Sequence, residues 1–89
     1  MQLPNQEYQF QRLTTSGLIK KGSGVLGGFL VAQGTPTITI YDNTTNSGTI
    51  IVNGLVVSAT STPYPVPAKF VNGCYVVITG TCDVTFFYN

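Results

Sequence analysis

The side chains able to do chemistry are few and scattered. Seven residues carry formal charge: Glu7, Arg12, Lys20, Lys21, Asp42, Lys69 and Asp83. There is no His and no Trp, and the only thiols are Cys74 and Cys82. An acid/base pair of the glycosidase kind needs two convergent carboxylates, and no two acidic residues here stand at a spacing that suggests one. A thiol nucleophile needs a base beside it, and no imidazole is available. The segment Asp42-Asn43-Thr44-Thr45-Asn46-Ser47-Gly48 is rich in oxygen donors, yet it holds one carboxylate and lacks the EF-hand spacing. It reads as a loop whose Asp and Asn bond their own backbone. Asn43-Thr44-Thr45 matches a glycosylation acceptor, which is idle without secretion. Lys20-Lys21-Gly22-Ser23-Gly24 places its lysines before the glycines, the reverse of a phosphate loop. It reads as a tight hairpin with two exposed lysines. Tyr64 and Phe70 suit a sugar-stacking platform, although core and interface roles are commoner for such rings. No catalytic residue, cofactor or metal ligand follows from these residues.

Composition narrows the field further. The chain has 89 residues, 43% of them hydrophobic. That is one domain, which buries roughly 60–65% of the surface its unfolded form exposes. Charged residues make up 8% of the chain, against about 25% in an average soluble domain. The surface must therefore be built from Thr, Ser, Asn, Gln and Gly, and the expectation is that much of it is covered in the working state. Four cations and a net charge of +1 make no footprint for nucleic acid. No apolar run approaches the ~18–20 residues of a membrane helix. The first seven residues show no basic start followed by an apolar stretch, so no signal peptide is visible. The chain is expected to stay in the compartment where it is made.

The elements that must position these side chains are strands. Residues 1–16 read as an extended N-terminal arm, Gln-rich and with isolated apolar side chains at Leu3, Tyr8, Phe10 and Leu13. Residues 17–89 read as the folded domain. Val, Ile, Thr, Tyr and Phe dominate there, broken by Gly, Asn and Pro. Candidate strands cover 18–21, 25–32, 37–42, 49–52, 55–59, 67–71, 74–79 and 82–88. The pair Gly27-Gly28 inside an apolar run predicts a bulge or a close backbone approach. Alternating Pro63, Pro65 and Pro67 predict a semi-extended connector or a sheet edge. Asn53-Gly54 and Asn72-Gly73 supply the positive φ of a type I′ turn and predict two hairpins. With a third turn near Thr79-Gly80, the last third reads as a three-stranded meander. The fold class is all-β: a single antiparallel β-sandwich, jelly-roll-like, of six to eight short strands.

A Thr79-Gly80 turn would set Val77 opposite Cys82, and Tyr75 opposite Val84. Cys74 and Cys82 then lie too far apart for a disulfide, which needs Cα atoms within about 7 Å. They read as reduced, buried small residues. In that register one face carries Tyr75, Val77, Val84, Phe86 and Tyr88, and the other carries Val76, Ile78 and Phe87. Both faces are partly apolar, where a free antiparallel sheet shows one polar face. The predicted interface is therefore Tyr8, Phe10 and Leu13 from the arm, with Val76, Ile78 and Phe87 from the sheet.

Two stretches, with Gly24-Val25-Leu26, resemble small β-rich structural proteins of tailed bacteriophages. One is Ile38-Thr39-Ile40-Tyr41-Asp42-Asn43-Thr44 followed by Gly48-Thr49-Ile50. The other runs from Phe70-Val71-Asn72-Gly73-Cys74-Tyr75 to Cys82-Asp83-Val84-Thr85. The resemblance covers residues 17–89 and rests on strand-and-turn patterns, and the size is similar to head decoration or cement proteins. It implies a non-enzymatic virion protein, made in the host cytoplasm, that binds the major capsid protein on the outside of the head. It also implies a homo-oligomer, a trimer ahead of a dimer, with no nucleic acid or membrane partner and no catalytic residues to carry over. The alternative it leaves open is a tail or fibre-tip module that binds a host surface glycan through exposed aromatics around Tyr64.

Overall fold

A computed structural model describes residues 8–59 and 62–89. They form eight strands and no helix: β1 (Gln9–Leu13), β2 (Gly17–Lys21), β3 (Gly24–Gln33), β4 (Thr37–Asp42), β5 (Thr49–Val56), β6 (Tyr64–Phe70), β7 (Gly73–Thr79) and β8 (Asp83–Tyr88). Two antiparallel sheets of four result, ordered β1-β8-β3-β6 and β2-β7-β4-β5. Four of the pairings are β1 with β8, β2 with β7, β3 with β6 and β4 with β5. The chain is thus one long hairpin, with its tip at the β4–β5 loop, rolled into a sandwich. That is the jelly-roll arrangement, and the expected fold class holds.

Alternation places the core. Along β4, Ile38 and Ile40 point inward and are fully buried, while Thr37, Thr39 and Tyr41 do not. Leu26, Phe29 and Val31 of β3, Phe70 of β6, Val76 of β7 and Val84 and Phe86 of β8 fill the space between the sheets. Phe29 packs against Phe86 with ring centroids 5.4 Å apart. Aromatic side chains bury the most apolar area per residue, so three Phe anchor a small core.

Several expectations are corrected. The extended arm is, over Gln9–Leu13, an ordinary edge strand hydrogen-bonded to β8 of the same chain. Residues 1–7 lie outside the described residues. Asn53-Gly54 is no hairpin turn: β5 runs straight through it. Its register against β4 shifts there, Gly54 takes φ 63°, and its N–H donates to Thr39 Oγ1 at 3.0 Å. The positive φ that Asn-Gly favours is spent on a bulge instead. Asn72-Gly73 and Thr79-Gly80 do turn the chain, but each carries it from one sheet to the other, as does the turn after Lys20-Lys21. There is no C-terminal meander and no β7–β8 pairing. The supposed faces dissolve with it: Val76 and Ile78 join Val84 and Phe86 in the core, and Tyr75 and Val77 point out of the opposite sheet.

Candidate functional site

The six residues predicted for an interface divide evenly. Val76 and Ile78 are buried in the core and Leu13 packs half-buried against it, so these three cannot form a surface. Tyr8, Phe10 and Phe87 come together on the outer face of the β1-β8-β3-β6 sheet. Phe10 stands directly across from Phe87 in the β1–β8 ladder and is 69% exposed.

Beside them lies a cleft of about 650 Å³, lined by Tyr8, Gly27, Gly28, Thr62, Pro63, Tyr64, Pro65 and Phe87. Two of the lining residues are the adjacent glycines of β3. The register of β3 against both neighbours shifts between Leu26 and Gly28, the expected bulge. Close approach explains both residues. A Cβ on Gly27 would lie 2.7 Å from the Tyr8 ring, and one on Gly28 would collide with the Tyr64 carbonyl oxygen. Gly28 also takes φ 146°, which L side chains rarely adopt. On the β6 side, Pro63 and Pro65 line the cleft, and β6 is an edge strand as the prolines predict. Tyr64 stacks on Phe29 with centroids 5.4 Å apart and planes 9° from parallel, and it is 42% exposed. Phe70 is fully buried, so it takes the commoner core role and forms no shared sugar-stacking platform with Tyr64. Sequence reasoning found the bulge and the aromatics but not their meeting, because Tyr8, Gly27, Tyr64 and Phe87 become neighbours only through the rolled topology.

The opposite sheet presents a second surface. Leu18 of β2, Tyr75 of β7, Tyr41 of β4 and Ile50 of β5 stand in one row across all four strands. Val77 faces Thr39 in a second row, and Thr79, Thr37 and Val56 make a third. None of these nine side chains is charged.

Asp42, Asp83 and Arg12 are engaged in structure. Asp42 Oδ1 accepts from the Val71 and Asn72 N–H groups at 2.9 and 2.8 Å. These bonds, Asn72's foremost, hold its carboxyl below the ordinary range against an opposing effect of burial. Asp83 takes a bidentate pair from Arg12 Nε and Nη2, both at 2.8 Å. This lowers the Asp83 pKa and raises that of Arg12. The oxygen-rich loop is tied to itself: Asn43 Nδ2 donates to the Ser47 carbonyl at 2.9 Å, and Thr44 N–H to Asn43 Oδ1 at 2.8 Å. Cys74 and Cys82 are free and buried. Cys74 is the second residue of β7 and Cys82 follows the far end of that strand, five steps or roughly 16 Å along it. Burial, reinforced by Asp42, pushes the Cys74 thiol up to about 12, and burial followed by Asp83 raises Cys82. Neither carboxylate faces a thiol or a second acid across an open cavity. Among the described residues, no three His, Cys, Asp or Glu gather where a metal ion could sit.

No family model, curated protein or solved structure matches this chain.

Proposed function

We propose that this chain is a non-enzymatic virion structural protein that attaches to the outside of a phage head as a homo-oligomer. It binds the major capsid protein and ties neighbouring capsomers together. The observation that carries this reading is the two-sided surface. Both outer faces of the sandwich hold aromatic and apolar side chains, and the rows on the β2-β7-β4-β5 sheet hold no charge. A cement needs at least two contact surfaces, one for the shell and one for its own copies. Uncharged polar and apolar groups cost less to desolvate than charges, and repeated small contacts gain avidity. The jelly roll occurs in capsid and lectin domains, a fold-level analogy that fits without deciding.

The test is occupancy on phage heads that lack the protein. Purified chain added to such heads should co-sediment with them. Ile50→Lys, which sets an unpaired charge in the row with Tyr41, Tyr75 and Leu18, should lower occupancy more than about tenfold. Failure of the wild-type chain to bind heads, or unchanged binding by Ile50→Lys, would overturn the reading.

One observation favours the alternative, a tail or fibre-tip module for a host glycan: Tyr64 is exposed at the rim of a cleft. The lining, however, has no carboxylate, amide or guanidinium to hold sugar hydroxyls. Glycan-array binding that is abolished by Tyr64→Ala would move the assignment to this alternative.

A further inference from the structure

We infer that Asn53-Gly54 is a site of spontaneous deamidation, where the backbone closes on the Asn53 side chain and leaves aspartate or isoaspartate in its place. The Thr39 hydroxyl is the brake on that reaction. The inference concerns this strand alone and does not rest on the virion reading.

The chemistry is intramolecular. The Gly54 nitrogen attacks the side-chain carbonyl carbon of Asn53, and the new C–N bond closes a succinimide ring. The side-chain nitrogen leaves as ammonia, taking the proton that Gly54 gives up. Water then opens the ring at either carbonyl. One opening restores the backbone with an aspartate, and the other routes the backbone through the side chain as isoaspartate. Asparagine is thermolabile for this reason. A following glycine favours the step, because no Cβ crowds the attacking nitrogen and the backbone turns freely there.

The chain holds two Asn-Gly pairs, and the fold treats them differently. Asn53 and Gly54 are both exposed, on an edge strand. Neither has a partner in the β4–β5 ladder, which passes from Val52 opposite Ile40 to Leu55 opposite Ile38. Residues in a bulge are released from the ladder, so Asn53 is free to turn toward ring closure. A Cβ on Gly54 would meet nothing within 4 Å, so the ring has room to form. The one hold on the attacking nitrogen is its hydrogen bond to Thr39 Oγ1 at 3.0 Å, between neutral groups. Asn72-Gly73 is held more firmly. Gly73 is buried, and a Cβ there would lie 2.8 Å from the Asn43 carbonyl oxygen. Its N–H bonds the Asp42 carboxylate, which also takes those of Val71 and Asn72. Bonds to an ionised acceptor are roughly twice as strong as neutral ones. Conversion at Asn53 has a structural consequence. It sets a carboxylate on β5 and takes the formal net charge from +1 to zero. The isoaspartate form also lengthens the backbone, which displaces Leu55 and Val56 from their places opposite Ile38 and Thr37.

Peptide mapping by mass spectrometry of the full chain, aged in mildly alkaline buffer, tests the assignment. The product is read from the mass gain of exchanging NH2 for OH. It should accumulate at least about fivefold faster at Asn53 than at Asn72. In concentrated urea the two pairs should react alike, because the difference belongs to the fold. Thr39→Val removes the acceptor and keeps the side-chain shape. It should raise the Asn53 rate at least about threefold, the scale of one neutral hydrogen bond, and leave the Asn72 rate unchanged. Thr39→Ser, which keeps the hydroxyl, should keep the slow rate. Asn53→Gln, whose longer side chain must close a larger ring, should abolish the reaction at that position. Faster conversion at Asn72 in the folded chain would overturn the assignment. So would a folded chain that stays unmodified at Asn53 while its urea-treated form converts at both pairs. An Asn53 rate that Thr39→Val leaves unchanged would overturn the role given to Thr39.

Discussion

Asp42 shows what the few charged residues do in this molecule. Its carboxylate brackets the turn between β6 and β7 by accepting two backbone N–H bonds, and so ties the end of β4 to the corner where the chain changes sheets. Its folded pKa is lowered, with the Asn72 bond as the largest cause. The sign follows: the stabilisation is present above the unfolded carboxyl value of about 3.9 and is lost as pH falls through the lower folded value. Asp42→Ala should therefore unfold at lower urea than the wild type at pH 7, and the gap should close toward pH 2. Equal gaps at both pH values would show that the charge is not what holds the turn. The Arg12–Asp83 pair obeys the same sign, since Asp83 is also lowered. Acid should thus loosen β1 from β8, which hydrogen exchange of the β1 amides would detect.

At the scale of elements, β3 is the strand on which the site depends. Its bulge at Gly27-Gly28 sets the Tyr8 ring and the Tyr64 carbonyl against bare backbone. Gly28→Ala would add both a positive-φ strain of about 1–3 kcal/mol and a collision with the Tyr64 backbone. It should lower the urea midpoint markedly and detach the start of β6. An unchanged midpoint would mean that the close approach is not a constraint. This bulge was legible because two glycines interrupt an apolar run. The β6 edge was legible from its prolines, and β4 from the clean alternation of Thr37 to Tyr41. Strand pairing was not legible. An Asn-Gly pair specifies a local backbone conformation, and the same positive φ serves a hairpin, a bulge or a corner between sheets. At β7 the alternation gave no answer either, since Tyr75 and Val77 are as apolar as Val76 and Ile78. The segment before Gly17 looked unstructured because an edge strand at the rim sends only Leu13 against the core.

The whole molecule is a rolled hairpin whose first and last strands close on each other. Phe10 lies across from Phe87, and the Asn89 backbone bonds that of Val25. Removing residues 1–13 therefore takes away an edge strand and not a loose arm. The truncated chain should be less stable and should aggregate through the unpaired edge of β8, seen as a lower unfolding midpoint and rising light scatter. A truncated chain as stable and as soluble as the intact one would show that β1 contributes nothing. The low charge takes its meaning at this scale as well. With seven formal charges on 89 residues, little keeps copies apart, and both outer faces carry apolar and aromatic side chains, where one polar face is usual. The proposed homo-oligomer rests on association through these faces. Light scattering of the purified full chain across a concentration series tests that claim most directly. The expected result is a stable mass of two or more copies of the 9.5 kDa chain. A single-chain mass that persists to the highest concentration would contradict it.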